Sequence, residues 1–418
     1  MVGTLPGELK FVTSATSHSL GQNSPRLLKP LSPEVRMKDA TEKLVHWLCT
    51  QALPRYRTAA SIPGLPPGMW ATYEALKADG TPNAALNLRV RVQARQMFVY
   101  CRAQKMGWAA DVEPMVRGLA EFIGHYAVTE DRSDGYVHLL KPDFTCADRK
   151  KDLYDHAFFA LAYAALYDTF ANYDDHRKAS RMVKWLDKEW PHPAGGWQEG
   201  DYLAPWRRQN PHMHWLETFL FLYQASGKEK WALRAKQVYQ LFAQHFYDAK
   251  HQVLREFFND DWSLAPGAAG EAVEPGHMFE WVWLLRWYER LFGEDTASIA
   301  NALWFKALAI GLDAEGLVYD QVTADGRVTE ATKRLWPMTE LIKAAVSQAR
   351  AGVPGAEAIA AKGIADLQRF YLTTPVAGVY LDRLGAANEV VDDGAPASTL
   401  YHLIGAAIEA HTYLNAKA

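Results

Sequence analysis

EPGHMFEWVWLLRW, residues 274–287, opens with acid, Pro, Gly and His and then runs apolar on nearly every side, with Trp281, Val282, Trp283, Leu284 and Leu285 in succession. A helix that is apolar all round is a buried helix, so its polar first turn must face something other than core. The same plan returns at NLRVRVQARQMFVY (87–100), DLYDHAFFALAYAAL (152–166), NPHMHWLETFLFLY (210–223), RLWPMTELIKAAV (334–346) and ASTLYHLIGAAIEA (397–410), and the starts stand about 58 to 65 residues apart. A period too long for one helix and too short for a domain marks one repeated supersecondary unit.

Between these segments lies a second set: DVEPMVRGLAEFIGHYA, DHRKASRMVKWLDKEW, KEKWALRAKQVYQLFAQHF, DTASIANALWFKALAIG and GAEAIAAKGIADLQRFY, with PEVRMKDATEKLVHWLC at the front. Their apolar residues recur at i, i+3, i+4 and i+7 with Lys, Arg and Glu between, the signature of a helix wetted on one side. About twelve helices, alternately outer and inner, predict an all-α (α/α)6 barrel with every inner start at one mouth. An open helical solenoid is the alternative, but it gives no reason to concentrate His and Trp at one end of every second helix. Four segments that alternate apolar and polar residues around turn chemistry, beginning at Asp134, His251, Gly316 and Gly378, each precede an inner helix and read as short β-hairpins walling that mouth.

With 418 residues, 49% of them hydrophobic, the chain has material for one large core. Residues 1–33 read as a loose N-terminal arm and 34–418 as the barrel. A formal net charge of -3 gives no electrostatic reason to expect nucleic acid or an anionic membrane as partner. The arm lacks the apolar run of a signal peptide, no stretch reaches the length of a membrane span, and three cysteines, Cys49, Cys101 and Cys146, are too few for a disulfide framework. A cytoplasmic protein, monomer or homodimer, is expected.

At the mouth, His277 sits in a first helical turn with Glu280 three residues on, which places both side chains on one face. His214 and His402 hold equivalent positions on two other inner helices. Three imidazoles facing one cavity are hard to explain by packing, and neutral imidazoles suit the movement of a proton on and off a weakly acidic carbon. Metal binding finds less support: residues two apart on a helix point about 200° away from each other, so His212 and His214 cannot share an ion, and no HExxH or paired CxxC occurs. No metal and no cofactor are expected. Glu217, Glu280 and Glu340 on inner helices keep open a glycoside hydrolase with paired carboxylates. Among Trp197, Trp206, Trp281 and Trp336, the last is the best platform for a sugar ring, since Arg334, Pro337 and Glu340 surround it.

Taken together and in this order, VQARQMFVY, YDHAFFALAYA, RRQNPHMHWLE, EPGHMFEWVWLL, RLWPMTE and the late YHL resemble the N-acylglucosamine 2-epimerase superfamily over nearly the whole chain from about residue 34. The resemblance implies an (α/α)6 barrel, no metal for chemistry, a small-molecule sugar substrate, and two histidines as acid and base, matched by His277 and His402. Arg95, Tyr154, Asn210, His214, Glu280 and Trp336 match further active-site positions. The implied mechanism removes the proton alpha to the carbonyl of an opened aldose, with His402 as base, His277 as its partner, Arg95 steadying the oxyanion and Glu280 orienting His277 or raising its basicity. Arg89 and Arg91 are close rivals of Arg95. Reprotonation at C1 gives a ketose and reprotonation at C2 from the other face an epimer. The wording around His214 and His277 is most similar to bacterial isomerases converting mannose to fructose. N-acetylglucosamine 2-epimerisation is the alternative, and a non-catalytic sugar-binding relative a further one.

Overall fold

In the computed structural model, the described residues are 33–129, 134–392 and 394–417. The expected arm lies outside them but for Pro33, which already opens the first helix. Twelve helices of twelve residues or more follow: α1 (Pro33–Trp47), α2 (Val90–Lys105), α3 (Glu113–Tyr126), α4 (Leu153–Phe170), α5 (Tyr173–Glu189), α6 (Gln209–Ser226), α7 (Glu229–Leu241), α8 (Pro275–Phe292), α9 (Ala297–Ile310), α10 (Leu335–Arg350), α11 (Ala356–Leu367) and α12 (Leu400–Asn415). The even-numbered helices form the inner layer. Each packs on the next, α2 on α4, α4 on α6, α6 on α8, α8 on α10, α10 on α12, and α12 returns to α2. That last contact closes the ring, and the fold is an (α/α)6 barrel, not an open solenoid.

Burial follows the two sequence patterns. On α8 every residue from Pro275 to Tyr288 is buried, whereas α5 buries Asp175, His176, Ala179, Met182, Val183 and Leu186, one stripe of a surface helix. Large aromatics carry much of the core: Trp281 of α8 is fully buried, stacks on Phe242 at 4.0 Å and donates its indole N–H to Gln209 Oε1 at 2.8 Å. The inner helices α4, α6 and α8 end on a left-handed residue, Ala171, Gly227 and Gly293, which lets the chain turn at once into the next outer helix.

At the mouth a short strand precedes three inner helices and ends on an arginine: β1 (Leu88–Arg89) before α2, β2 (Arg207–Arg208) before α6 and β3 (Lys333–Arg334) before α10. Each arginine grips one buried carboxylate with both its backbone N–H and its guanidinium: Arg89 takes Glu74, Arg208 takes Glu199 at 2.8 and 2.6 Å, and Arg334 takes Asp320 at 2.9 Å twice. Each then reaches the start of the preceding inner helix, Arg208 to Asp152 at 3.3 Å, Arg334 to Glu274 at 3.2 Å and Arg89 to Ser398 at 3.4 Å. The rim is thus tied in three pairs of inner helices by charge-assisted hydrogen bonds.

The hairpins pair with these rim strands. Leu139–Leu140 and Cys146–Asp148 extend β1, and Arg383–Leu384 with Val390–Asp392 extend β3; Gln321–Val322 pairs with Val328–Glu330. The segment after His251 departs from the expected hairpin. Val253–Leu254 pairs backward with Tyr247–Asp248, while Phe257–Phe258 pairs with β2. Its turn precedes Val253, with Gln252 at φ 59°, so Arg255 and Glu256 are left crossing between two ladders.

Candidate active site

The geometry of the mouth is built on two imidazole–carboxylate pairs packed on one indole. His277, in the first turn of α8, lies 5.0 Å from the Trp336 ring, and His402, in the first turn of α12, lies 5.7 Å from it. Gly276 makes the contact possible, because a Cβ there would meet the Trp336 ring at 2.7 Å. Both histidines are buried, each 6% exposed. His277 Nδ1 stands 3.0 Å from Glu256 Oε2 and 3.7 Å from Glu274, and His402 Nδ1 stands 2.8 Å from Glu340 Oε1. A carboxylate on Nδ1 fixes the ring and leaves Nε2 as the reactive nitrogen.

The electrostatic surroundings then separate the two rings. Burial opposes charge on both. At His277 the carboxylates of Glu256 and Glu274, and Glu280 where it ionises, outweigh it and lift the imidazole to about 9. At His402 burial prevails over Glu340 and the ring falls to about 4. The difference lies in the number of acids facing each ring and in the cations near His402, Arg95 and, behind Glu340, Lys343. Lys343, one turn on along α10, sets its ammonium 2.6 Å from Glu340 and 3.9 Å from Glu280, over the Trp283 ring at 3.6 Å. Against the penalty of burial, Lys343 and His402 hold Glu340 down at about 2. Burial and the neighbouring Glu340 push Glu280 up to about 8, so that acid keeps its proton at neutral pH.

A third imidazole stands behind the pair. His214 of α6 has Nδ1 3.1 Å from Glu217 and 4.0 Å from Glu280, and Tyr401 donates its hydroxyl to Glu217. Burial, ahead of every other effect, lowers His214 to about 4. Arg95 of α2 is 5% exposed, donates to the Tyr154 hydroxyl at 2.7 Å and to the Ser398 carbonyl at 3.4 Å, and lies 4.0 Å over the Phe158 ring. It has no carboxylate partner among the described residues. Its rivals are committed elsewhere: Arg89 to Glu74, and Arg91 to Asp155 at 2.8 Å, an acid shared with His138 at 2.6 Å.

Contacts therefore run unbroken from Arg95 through Tyr154, His214, Tyr401 and His402 to Trp336 and His277. Asn210 stands apart in the first turn of α6, half-buried, with its Oδ1 unpartnered. One expectation is corrected. Glu280 does not orient His277; it points one turn deeper, toward His214 and Lys343, and Glu256 is the hydrogen-bonded partner. An i,i+3 spacing puts two side chains on one face without making them meet. Glu256 had left a weak trace as an acid between the apolar pairs Val253–Leu254 and Phe257–Phe258, and Lys343 a clearer one as a lysine inside an otherwise apolar inner helix, three residues after Glu340.

Three groups of these residues are compact enough to hold a metal: His214 with Glu217 and Glu280, Glu256 with Glu274 and His277, and Glu280 with Glu340 and His402. A protein cation already stands in each. Lys343 contacts Glu280 and Glu340, and Arg334 contacts Glu274. Nor do Glu217, Glu280 and Glu340, none more than 3% exposed, offer the free carboxylate pair of a hydrolase; all three are committed to the histidines and the lysine.

The profile of the N-acylglucosamine 2-epimerase family matches residues 72–406, a span that contains all eight expected site residues. A mannose-6-phosphate isomerase of Rhizobium meliloti (strain 1021) is 33% identical over 378 residues, 88% of this chain and 95% of that protein. A D-mannose isomerase of Thermobifida fusca is 28% identical over 294 residues, 65% of this chain and 70% of that one. Among solved structures, a cellobiose 2-epimerase from Spirochaeta thermophila DSM 6192 superposes with a TM-score of 0.81 at 17% identity, covering 93% of this chain and 100% of its own. The chain belongs to the N-acylglucosamine 2-epimerase family and is a sugar isomerase or epimerase.

Proposed function

We propose that this enzyme interconverts D-mannose, or a similar unphosphorylated aldose, and the corresponding ketose by proton transfer through an enediol, without a metal ion. The observation that carries the proposal is the pair of buried histidines on Trp336, one held cationic and the other neutral. A base must be unprotonated and an acid protonated at the same pH, and this pair meets both conditions across the neutral range.

With the opened aldose against Trp336, Nε2 of His402 takes the proton from C2. The C2–H electron pair becomes the C1–C2 double bond, and the carbonyl electrons move onto O1. There the His277 imidazolium supplies a proton and the Arg95 guanidinium a fixed positive charge. Return of the proton from His402 to C1, as O2 gives its own to the now neutral His277 and becomes a carbonyl, completes the ketose. Delivery to C2 from the other face instead inverts that carbon. Lys343 and Arg334, standing where a cation would bind, support chemistry that needs none. Arg89, Arg91, Arg208 and Arg334, each already matched to a carboxylate, leave little guanidinium for a phosphate and favour the unphosphorylated sugar.

The test is incubation with mannose, mannose 6-phosphate and N-acetylglucosamine in deuterated water with a chelator present, followed by proton NMR. Fructose labelled at C1 is expected. Labelled N-acetylmannosamine would make the enzyme a 2-epimerase, turnover of mannose 6-phosphate alone would overturn the substrate, and no exchange into any sugar would overturn the reaction.

A further inference from the structure

Glu256 and Glu340 each hold one histidine, yet they differ in what else answers their charge. Among the described residues, His277 is the one cationic side chain within ion-pair distance of Glu256, whose other side-chain contact is the Gln209 amide at 3.0 Å. Glu340 has Lys343 at 2.6 Å as well as His402. We propose that Lys343, buried one turn along α10 from Glu340, is the positioning residue that makes His402 the base: by answering the charge of Glu340 it spares His402 from becoming an imidazolium. The inference rests on the proton-transfer reading above and adds to it the residue that assigns the two roles.

The charges facing His402 can be set out element by element. From α10 come Glu340 and Lys343, from α8 Glu280 and the His277 imidazolium, whose charge Glu256 answers, from α6 His214 and Glu217, from α2 Arg95, and from α12 itself Tyr401. With Glu280 carrying its proton, Arg95 and Lys343 balance Glu217 and Glu340, and the cluster is neutral while both His214 and His402 are neutral. A buried cluster strongly resists an uncompensated charge. Remove the ammonium, and the cluster holds one negative charge too many; His402, hydrogen-bonded to Glu340, is the group placed to take up a proton. Lys343 itself stays charged because, against the penalty of burial, the Glu340 carboxylate beside its ammonium favours the charged form. Above it are Glu340 and Glu280, below it the Trp283 ring and a cavity of about 290 Å³ that it lines together with Glu217 and Tyr401, extending to Arg102, Arg290 and Arg350 in the last turns of the inner helices. The other histidine lacks such a device, since Arg334 divides its charge between Glu274 and Asp320 and leaves Glu256 to His277.

The experiment compares full-length wild type, Lys343→Met, Lys343→Arg and Lys343→Met/Glu340→Gln. Two readouts are taken: the pH profile of kcat/KM for mannose, and the pH titration of the His402 ring proton by NMR, assigned with His402→Asn. In Lys343→Met the acid limb and the ring titration are expected to rise by at least about one pH unit, so that kcat/KM falls up to about tenfold more on the acid limb, near and below pH 4, than at pH 9. Lys343→Arg keeps the charge and should leave both in place. The double variant removes cation and anion together and should return His402 to its low titration; it also serves if Lys343→Met alone does not fold. Loss of equal size at every pH with an unmoved His402 titration, or a raised titration in the double variant, overturns the proposal. The NMR readout needs no turnover, so it tests Lys343 even if mannose proves not to be a substrate.

Discussion

Glu256 and Glu340 perform the same local task, a carboxylate oxygen on the Nδ1 of a buried histidine, and leave their rings in opposite states. His277 is held near 9 and His402 near 4 although both are equally buried and both touch Trp336. The difference teaches that a hydrogen-bonded carboxylate does not by itself decide an imidazole's charge in a low-dielectric site; how many acids face the ring, and which cations stand near it, also count.

The largest effect expected from breaking this comparison comes from removing either ring. His402→Asn and His277→Asn should each lower kcat by about 10² to 10⁴, the range for a general acid or base. A stopped assay following the C2 proton would refute the assignment if either variant exchanged it within about tenfold of wild type, where loss of such a group predicts more.

Next in size is the partner of the cationic ring. Glu256→Gln withdraws the main charge that raises His277, so the ring should titrate lower and the alkaline limb of kcat should move down by at least about one unit, tenfold in the protonated fraction. A pH profile with an unmoved alkaline limb would show that Glu256 orients the ring without setting its charge.

Stability offers a smaller and independent reading. His277, raised when folded, contributes stability in full below its unfolded value near 6.5 and loses it as pH climbs through about 9. His402, lowered to about 4, acts in the other direction: the unfolded chain binds its proton first, so stability falls as pH drops from about 6.5 toward 4. Thermal melts across that acid window should show a shallower loss in His402→Asn than in wild type, and an equal slope would contradict the neutral state. The smallest change is expected from Trp336→Phe, which keeps an aromatic face against both histidines; a loss of about 0.5 to 1.5 kcal/mol of stacking would appear as a few-fold rise in KM, and a collapse of kcat instead would make the indole a support for the histidines more than a platform for sugar.

Much of the architecture was legible because its signals are local. All-round apolarity from Trp281 to Leu285 and the one-sided pattern of α5 separate inner from outer helices within single segments. Three short motif helices sufficed to place His214, His277 and His402 at one mouth. The segment after His251 was harder, since strands of two residues carry almost no periodicity and the partner of Phe257–Phe258 lies at Arg207–Arg208, far back in the chain.

What the sequence determined by itself, then, is the alternation of helices, the mouth at their starts and the residue types gathered there, because each is written in the spacing of neighbouring side chains. Only the tertiary structure decided the closure of α12 on α2, the turning of Glu280 away from His277, and the partnering of His277 with Glu256 and of His402 with Glu340 and Lys343. These depend on distances between residues on different helices and loops. Electrostatic interaction through a low-dielectric interior acts along those distances and takes no account of separation along the chain.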